Sequence, residues 1–403
     1  IDLHRKQMTI SLRNELGDVL LRRQVSTRRE KVEEFLEQVH QQGAADGGAY
    51  VAVLEVCGFH DWLVKRLQKD EACREVVVIQ PATRSRKKTD RRDANAISEL
   101  LWVNRDRLLR GERVQGVRRI YLPQESEQQD RLLTTLRVRL VWKRTETLNQ
   151  IHQILRRNNL EWECPTKTFQ TKRVRQWLKT LAVSEVERMD LDQLLTQWGL
   201  WEQQLAEVDA KVEIRFEQNE DAKLLATIPG VSKFSALAIA CRIGPISRFP
   251  RGRSLANFFG LTPGSRSSGE VERLGSITKE GSRMVRFLLG QAIYHVLRCD
   301  GEMRAWYKQI KRRRGANIAR VAVMRRLVVI MWHMLTKREA WQPSGQPERT
   351  RPAMDDPRTA CKPIDRQAVL DQYPAPSAST EVAAGSTGSS SLTSSEEVEL
   401  CQA

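Results

Sequence analysis

The sequence predicts an α/β domain followed by mainly helical regions. Three observations point there. Strand-like and helix-like patterns alternate over the first hundred or so residues, apolar positions recur three or four apart over about 125–219, and a further helical region covers about 221–339. Beyond Gln342 the composition shifts to Pro, Ser, Thr and Ala, with too little apolar content to offset the entropy of ordering it. The expected divisions are therefore 1–120, 121–220, 221–341 and a disordered tail over 342–403. A chain of 403 residues can bury two or three separate cores.

In order along the chain, residues 1–14 read as a strand and 18–25 as its hairpin partner. Residues 31–42 carry Val32, Phe35, Leu36 and Val39 at the spacing of an amphipathic helix. Residues 50–56 read as a buried strand, 61–69 as a helix, 76–79 as a short strand and, after a basic loop, 91–103 as a helix. Next come Leu133, Leu136, Leu140, Leu148, Ile151 and Leu155 on one long amphipathic helix. Leu194, Trp198, Trp201, Leu205, Val208 and Val212 repeat the pattern on a second. Two such helices most simply form an antiparallel pair or an oligomer interface, with dimerisation the expected addition. Arg137, Arg139, Lys143, Arg144, Arg156 and Arg157 give the first helix a basic stripe suited to a phosphate backbone. The third region is interrupted by a Gly- and Ser-rich loop over 260–281.

Charge narrows the partners. The formal net charge is +17 and the pI about 9.8. From Gly345 onward five basic residues face nine acidic ones, so that segment is −4 and the first 344 residues carry +21. Solvated helices explain a single basic run, but a chain this basic throughout is better matched to nucleic acid, which gains counterion-release free energy on meeting clustered Lys and Arg. Seven cysteines are scattered with no C-x-x-C pair, against a zinc ribbon or a disulfide framework and in keeping with a reducing cytosol. No signal-peptide pattern opens the sequence, and the apolar run 328–335 is too short to span a bilayer. The expectation is a cytoplasmic protein with a nucleic-acid partner and no membrane partner. Because the chain opens at Ile1 without a Met, a few residues are expected to precede it.

Four acids stand out. Asp2 lies in the first strand, Glu55 near the end of VAVLEV, and Asp90 and Asp93 in KTDRRDA, three apart and so on one helical face. Singly, Asp90 is explained as a helix cap and Asp93 by pairing with Arg91 or Arg92. Glu55 is the exception, since its apolar neighbours make an unpaired acid costly. Gathering four carboxylates costs about 4 kcal/mol per pair at ~4 Å and an effective dielectric of about 20. A divalent metal relieves that cost, and Mg²⁺ prefers such oxygen ligands.

Two features mark the third region. The IPGV turn resembles a helix-hairpin-helix, although a plain tight turn explains it equally well. The run FFGLTPGSRSSGEVERLGSITKEGSRMVRFLL places serines among glycines and cations. A serine hydroxyl needs a base or metal to become a nucleophile, and neighbouring cations stabilise charge on a pentavalent phosphate. Taken singly, Ser265, Ser267 and Ser268 are ordinary loop residues.

IDLHRK, LEVCG and KTDRRDA, in this order and spacing, resemble the N-terminal domain of DEDD transposases of the insertion-sequence one-ten family. The Ser-Gly pair followed by R-x-G-x-I-x-K-x-G-x-R is similar to that family's C-terminal transposase domain, and the likeness covers roughly 1–340. The resemblance implies a RuvC-like, RNase H-type fold holding Mg²⁺ at Asp2, Glu55, Asp90 and Asp93, then a helical coiled-coil insertion. It implies Ser268 as nucleophile, with Ser267 second because SRSSG leaves the register open. Arg273, Lys279 and Arg283 match the basic positions of the motif. With Arg266 and Arg144 they make up the expected nucleic-acid contacts. The resemblance further implies a serine recombinase that excises and inserts a mobile element, guided by a structured bridge RNA, acting as a homotetramer built from dimers. Two rivals remain at this point: a metal-dependent Holliday-junction-type endonuclease in which Ser268 is structural, and a non-catalytic nucleic-acid-binding protein.

Overall fold

The computed structural model describes residues 1–43, 48–81, 90–112, 114–265 and 274–343. The expected disorder of the tail concerns residues that, from 344 on, lie outside them. The chain divides into two compact units between Gln129 and Asp130.

The first unit opens differently from the single strand expected over 1–14. β1 (Asp2–Leu3) and β2 (Gln7–Arg13) are separate antiparallel strands in the register Asp2↔Thr9 and Leu3↔Met8. The polar run His4-Arg5-Lys6 has no apolar side to bury and reverses the chain, with His4 N–H donating to the Gln7 carbonyl at 2.9 Å. β3 (Val19–Ser26) pairs antiparallel with β2. α1 (Arg29–Gly43) then buries Val32, Phe35, Leu36 and Val39, the face its spacing predicts.

β4 (Tyr50–Glu55) and β5 (Cys73–Pro81) are parallel, with Glu55 opposite Ile79. A parallel pair needs a crossover, supplied by α2 (Asp61–Gln68). Both strands are continuous apolar runs because both faces are covered. Ala52, Leu54, Val76 and Val78 join the core with α1 and α2, while Val53, Val77 and Ile79 meet Ile97 of α3 (Asp90–Leu109) on the other face. α3 outruns the expected end at 103, continuing past a non-helical Asn104. β6 (Val117–Arg119), which the sequence did not suggest, adds antiparallel to β5. The two ladders meet where β1 lies against β4 and the Ile1 amine donates to the Val53 carbonyl at 2.8 Å. The strands thus run β3-β2-β1-β4-β5-β6 across the unit.

The second unit is helical apart from one hairpin among the described residues. α4 (Glu125–Arg157) and α6 (Glu185–Glu217) are antiparallel, as paired contacts along them require: Asp130 with Arg215, Arg137 with Asp209, Thr147 with Trp201 and Asn158 with Glu187. α5 (Lys172–Thr180) closes one end over the fully buried Trp198, with the Arg175 guanidinium 4.0 Å above the indole. The other end of α6 merges into a core shared by α7 (Glu220–Ala226), α8 (Lys233–Ile243), α9 (Gly252–Phe258) and α10 (Arg283–Cys299). α11 (Gly301–Arg314) and α12 (Ala316–Lys337) complete it. α12 packs against α7, α9, α10 and α11, which is why 328–335 is so apolar. Among the described residues no helix is long and apolar enough to cross a membrane.

Candidate functional site

The acidic residues lie on adjoining elements of the first unit. Asp2 in β1 is buried, 5% exposed, with its carboxylate 3.1 Å from His4 Nε2. Glu55 is the last residue of β4, half-buried, and β4 lies beside β1. Asp93 is half-buried in the first turn of α3, and α3 packs on both β1 and β4. Asp90 begins that helix, but its side chain lies outside the described residues. Among the described residues no group of three or more His, Cys, Asp and Glu side chains is placed to hold a metal ion. The donor chemistry nevertheless suits a hard divalent cation: carboxylate oxygens on three neighbouring elements, one of them buried at a strand junction. His4 is a residue the sequence argument missed. Its position in IDLHRK, two residues after Asp2 and just before a reversal, was the available signal.

In the second unit, Arg266, Ser267, Ser268 and Arg273 lie outside the described residues, and the residues on either side of them pair with one another. The expected loop over 260–281 is a hairpin at its ends: β7 (Pro263–Ser265) pairs antiparallel with β8 (Leu274–Ile277), with Pro263 opposite Ile277. Two glycines make this base possible. Gly260 and Gly281 have φ of +65° and +72°, and a Cβ on either would sit 2.2 Å from the Glu280 carbonyl oxygen or 2.0 Å from that of Phe258. No other residue type allows the two chain crossings to come so close. Arg286, in the first turn of α10, ties the crossing together. Its guanidinium donates to the carbonyls of Phe259 (3.1 Å), Glu280 (2.7 Å) and Gly281 (3.3 Å). Burial, and secondarily the charge of Arg283, lowers its pKa from the ordinary arginine value. Arg286 was also missed by sequence reasoning, one turn beyond the recognised Arg283.

Lys279 and Arg283 are exposed beside this base, Lys279 at a left-handed φ of 57° with its N–H on the Gly260 carbonyl at 3.2 Å. Arg144 is half-buried on α4, and its Nε is buried with no hydrogen-bond partner among the described residues. Four of the six cations in the basic stripe on α4 have partners within the fold. Arg137 pairs with Asp209 and stacks on Phe234, Lys143 lies over Trp201, Arg156 pairs with Glu161, and Arg157 with Glu187. These cations tie the helical pair to itself and to its neighbours. The IPGV turn does join two packed helices, with Val231 N–H on the Ile228 carbonyl at 3.0 Å and Ser232 capping α8.

Comparison with known proteins places both regions in one family. Residues 1–159 match a transposase model of the DEDD type, and residues 222–308 match the model for transposases of the IS116/IS110/IS902 family. The chain is 31% identical over 271 residues to the transposase for insertion sequence element IS1111A of Coxiella burnetii, covering 66% of this chain and 71% of that one. It is 27% identical over 240 residues to a probable family 20 transposase of Pseudomonas aeruginosa, covering 55% and 68%. It is also 31% identical over 124 residues to a pilin gene-inverting protein of Moraxella bovis, covering 30% and 38%. With acid-bearing strands in one matched segment and the pinned hairpin in the other, this chain belongs to the IS110/IS116/IS902 family of DNA transposases.

Proposed function

We propose that this transposase cuts and rejoins DNA through Ser268, with an acidic centre of RuvC-like, RNase H-type architecture assisting. The observation that carries the serine reading is the hairpin base. A nucleophile on a loop is useful only if both strands entering the loop are held, and Gly260, Gly281 and Arg286 lock them by backbone contact. In this reading the Ser268 hydroxyl oxygen attacks a backbone phosphorus, losing its proton as the new O–P bond forms. The P–O3′ bond breaks, the departing 3′ oxygen takes up a proton, and a 5′-phosphoserine link remains. A 3′ hydroxyl of another strand reverses the step and releases the serine. Arg266 and Arg273 in the loop, with the exposed Lys279 and Arg283 at its base, neutralise phosphate charge.

Asp2, Glu55, Asp90 and Asp93 are the residues that would hold Mg²⁺, and the strand order β3-β2-β1-β4-β5 with α3 on one face supports the RNase H-type reading. Bound there, the ion would polarise phosphate oxygens and stabilise developing negative charge. The chain's own part is to present the carboxylates, with His4 orienting Asp2. The family resemblance adds guidance by a bridge RNA and a tetramer built from dimers, the helical pair α4–α6 joining subunits.

The test is cleavage of the element's end-joined DNA, with its flanking RNA and Mg²⁺, by the full chain and by Asp2→Asn, Glu55→Gln, Asp93→Asn and Ser268→Ala. Loss of cleavage in all four, with DNA binding retained, is the expected result. Undiminished nicking by Ser268→Ala would overturn the serine step and leave a metal-dependent endonuclease.

A further inference from the structure

Cations surround the hairpin and line α4, yet the longest unbroken run of positive charge lies elsewhere, at Lys311–Arg314. Residues 301–337 hold ten Lys and Arg against one acid, Glu302, so these 37 residues carry +9 of the chain's +17. Five of the ten, Lys308, Lys311, Arg312, Arg313 and Arg314, crowd the end of α11, and all five are exposed. Glu302 lies in the first turn, at the opposite end of the helix, and among the described residues none of the five is in an ion pair. One or two cations in a last turn complement the helix dipole. Four in succession repel one another beyond that benefit, and Gly315 ends the helix at once, its N–H on the Lys311 carbonyl at 3.0 Å. The buried side of the helix is fixed independently by Met303, with Trp306 and Tyr307 half-buried against the core and Arg326 lying 5.2 Å from the Trp306 ring. The cluster is therefore held outward on a packed helix and is not a loose end.

We propose that the C-terminal turn of α11 is a second nucleic-acid contact, distinct from the hairpin, that grips the phosphate backbone of duplex DNA. The spacing favours a duplex. From Lys308 to Arg314 the helix advances about 9 Å at 1.5 Å per residue, and only a duplex, at about one charge per 1.7 Å of axis, presents comparable density. Unpaired strands use exposed aromatic rings for stacking, whereas both aromatics of α11, Trp306 and Tyr307, pack half-buried against the core. The proposal rests on the reading that this chain acts on DNA. The ridge, Lys311–Arg314, lies beyond the residues that the family model matches, 222–308.

The experiment uses the full chain and a fluorescent DNA duplex of mixed sequence, with affinity followed by anisotropy from about 50 to 200 mM KCl. Lys311→Gln, Arg312→Gln, Arg313→Gln and Arg314→Gln are combined in one variant. A control variant removes the same charge from exposed positions around α5: Lys167→Gln, Lys172→Gln, Arg173→Gln and Lys179→Gln. Thermal melting verifies that both fold. At about −0.9 in log K per phosphate contact, loss of three or four contacts flattens the salt slope by about 3 and weakens binding more than tenfold near 0.1 M salt. The control is expected to bind like the unaltered chain. Equal weakening of both variants, or unchanged binding by the α11 variant, overturns the proposal while leaving the DNA reading intact. Weakening on a structured RNA but not on the duplex also overturns it. Failure of the unaltered chain to bind any duplex overturns both.

Discussion

Replacing Gly281 with alanine tests whether the crossing beneath the serine loop is as tight as the geometry states. At φ +72° an L residue costs about 1–2 kcal/mol, and the new Cβ would lie 2.0 Å from the Phe258 carbonyl oxygen. That carbonyl cannot retreat freely, because the next one, of Phe259, accepts from Arg286, which also holds Gly281 itself. Losing one charge-assisted bond there adds about 1.5–3 kcal/mol. The total is about 3 kcal/mol or more, a fall in melting temperature of about 6–12 °C for a unit of this size. Gly290→Ala is the matched comparison. It sits within α10 with nothing within 4 Å of the added methyl, so it is expected to raise stability by about 0.5–1 kcal/mol. Eight of the ten tryptophans lie in the second unit, so tryptophan fluorescence during heating or urea titration reports the relevant transition. The two substitutions should move the midpoint in opposite directions. Gly281→Ala melting with, or above, the unaltered chain would refute the account of the crossing.

Two further outcomes follow from the described side chains. Arg66 hydrogen-bonds Glu33 and holds its carboxyl below the ordinary glutamate value. A depressed carboxylate contributes stability above its unfolded pKa that is lost as pH falls through the folded one. Glu33→Gln should therefore destabilise the first unit modestly near neutral pH, since the pair is partly exposed, and differ little from the unaltered chain in acid; a gap that is unchanged or widens on acidification would contradict the pairing. Burial raises the Cys241 thiol above its ordinary value, whereas Cys299 is exposed. Alkylation mapped by mass spectrometry should label Cys299 in the native chain and Cys241 only with denaturant; early labelling of Cys241 would contradict its packing.

Periodicity made the interior elements legible. VAVLE, the Val32-Phe35-Leu36-Val39 face and the Leu-rich seams of α4 and α6 each bury the residues their spacing selects, because apolar surface must be covered. Reversals were less visible. His4-Arg5-Lys6 split an expected strand by a turn with neither Gly nor Pro to mark it, and β6 is three residues long with only Val117 facing inward. The hairpin hid inside a Gly- and Ser-rich run, since its pairing depends on a backbone crossing between residues some twenty apart. The acids were legible as a motif, but that their elements adjoin depended on β1 meeting β4, a nonlocal fact. The α4 stripe has a second use that its sequence did not show. Its cations read as a phosphate surface, yet four of the six are engaged by Asp209, Trp201, Glu161 and Glu187 within the fold.

Covalent catalysis by Ser268 is tested on a denaturing protein gel of the reaction between the full chain, labelled end-joined element DNA, its flanking RNA, target duplex and Mg²⁺. A protein–DNA adduct that is lost in Ser268→Ala and kept in Ser267→Ala is the expected result. Strand cleavage with no adduct, abolished by Asp93→Asn, would contradict it.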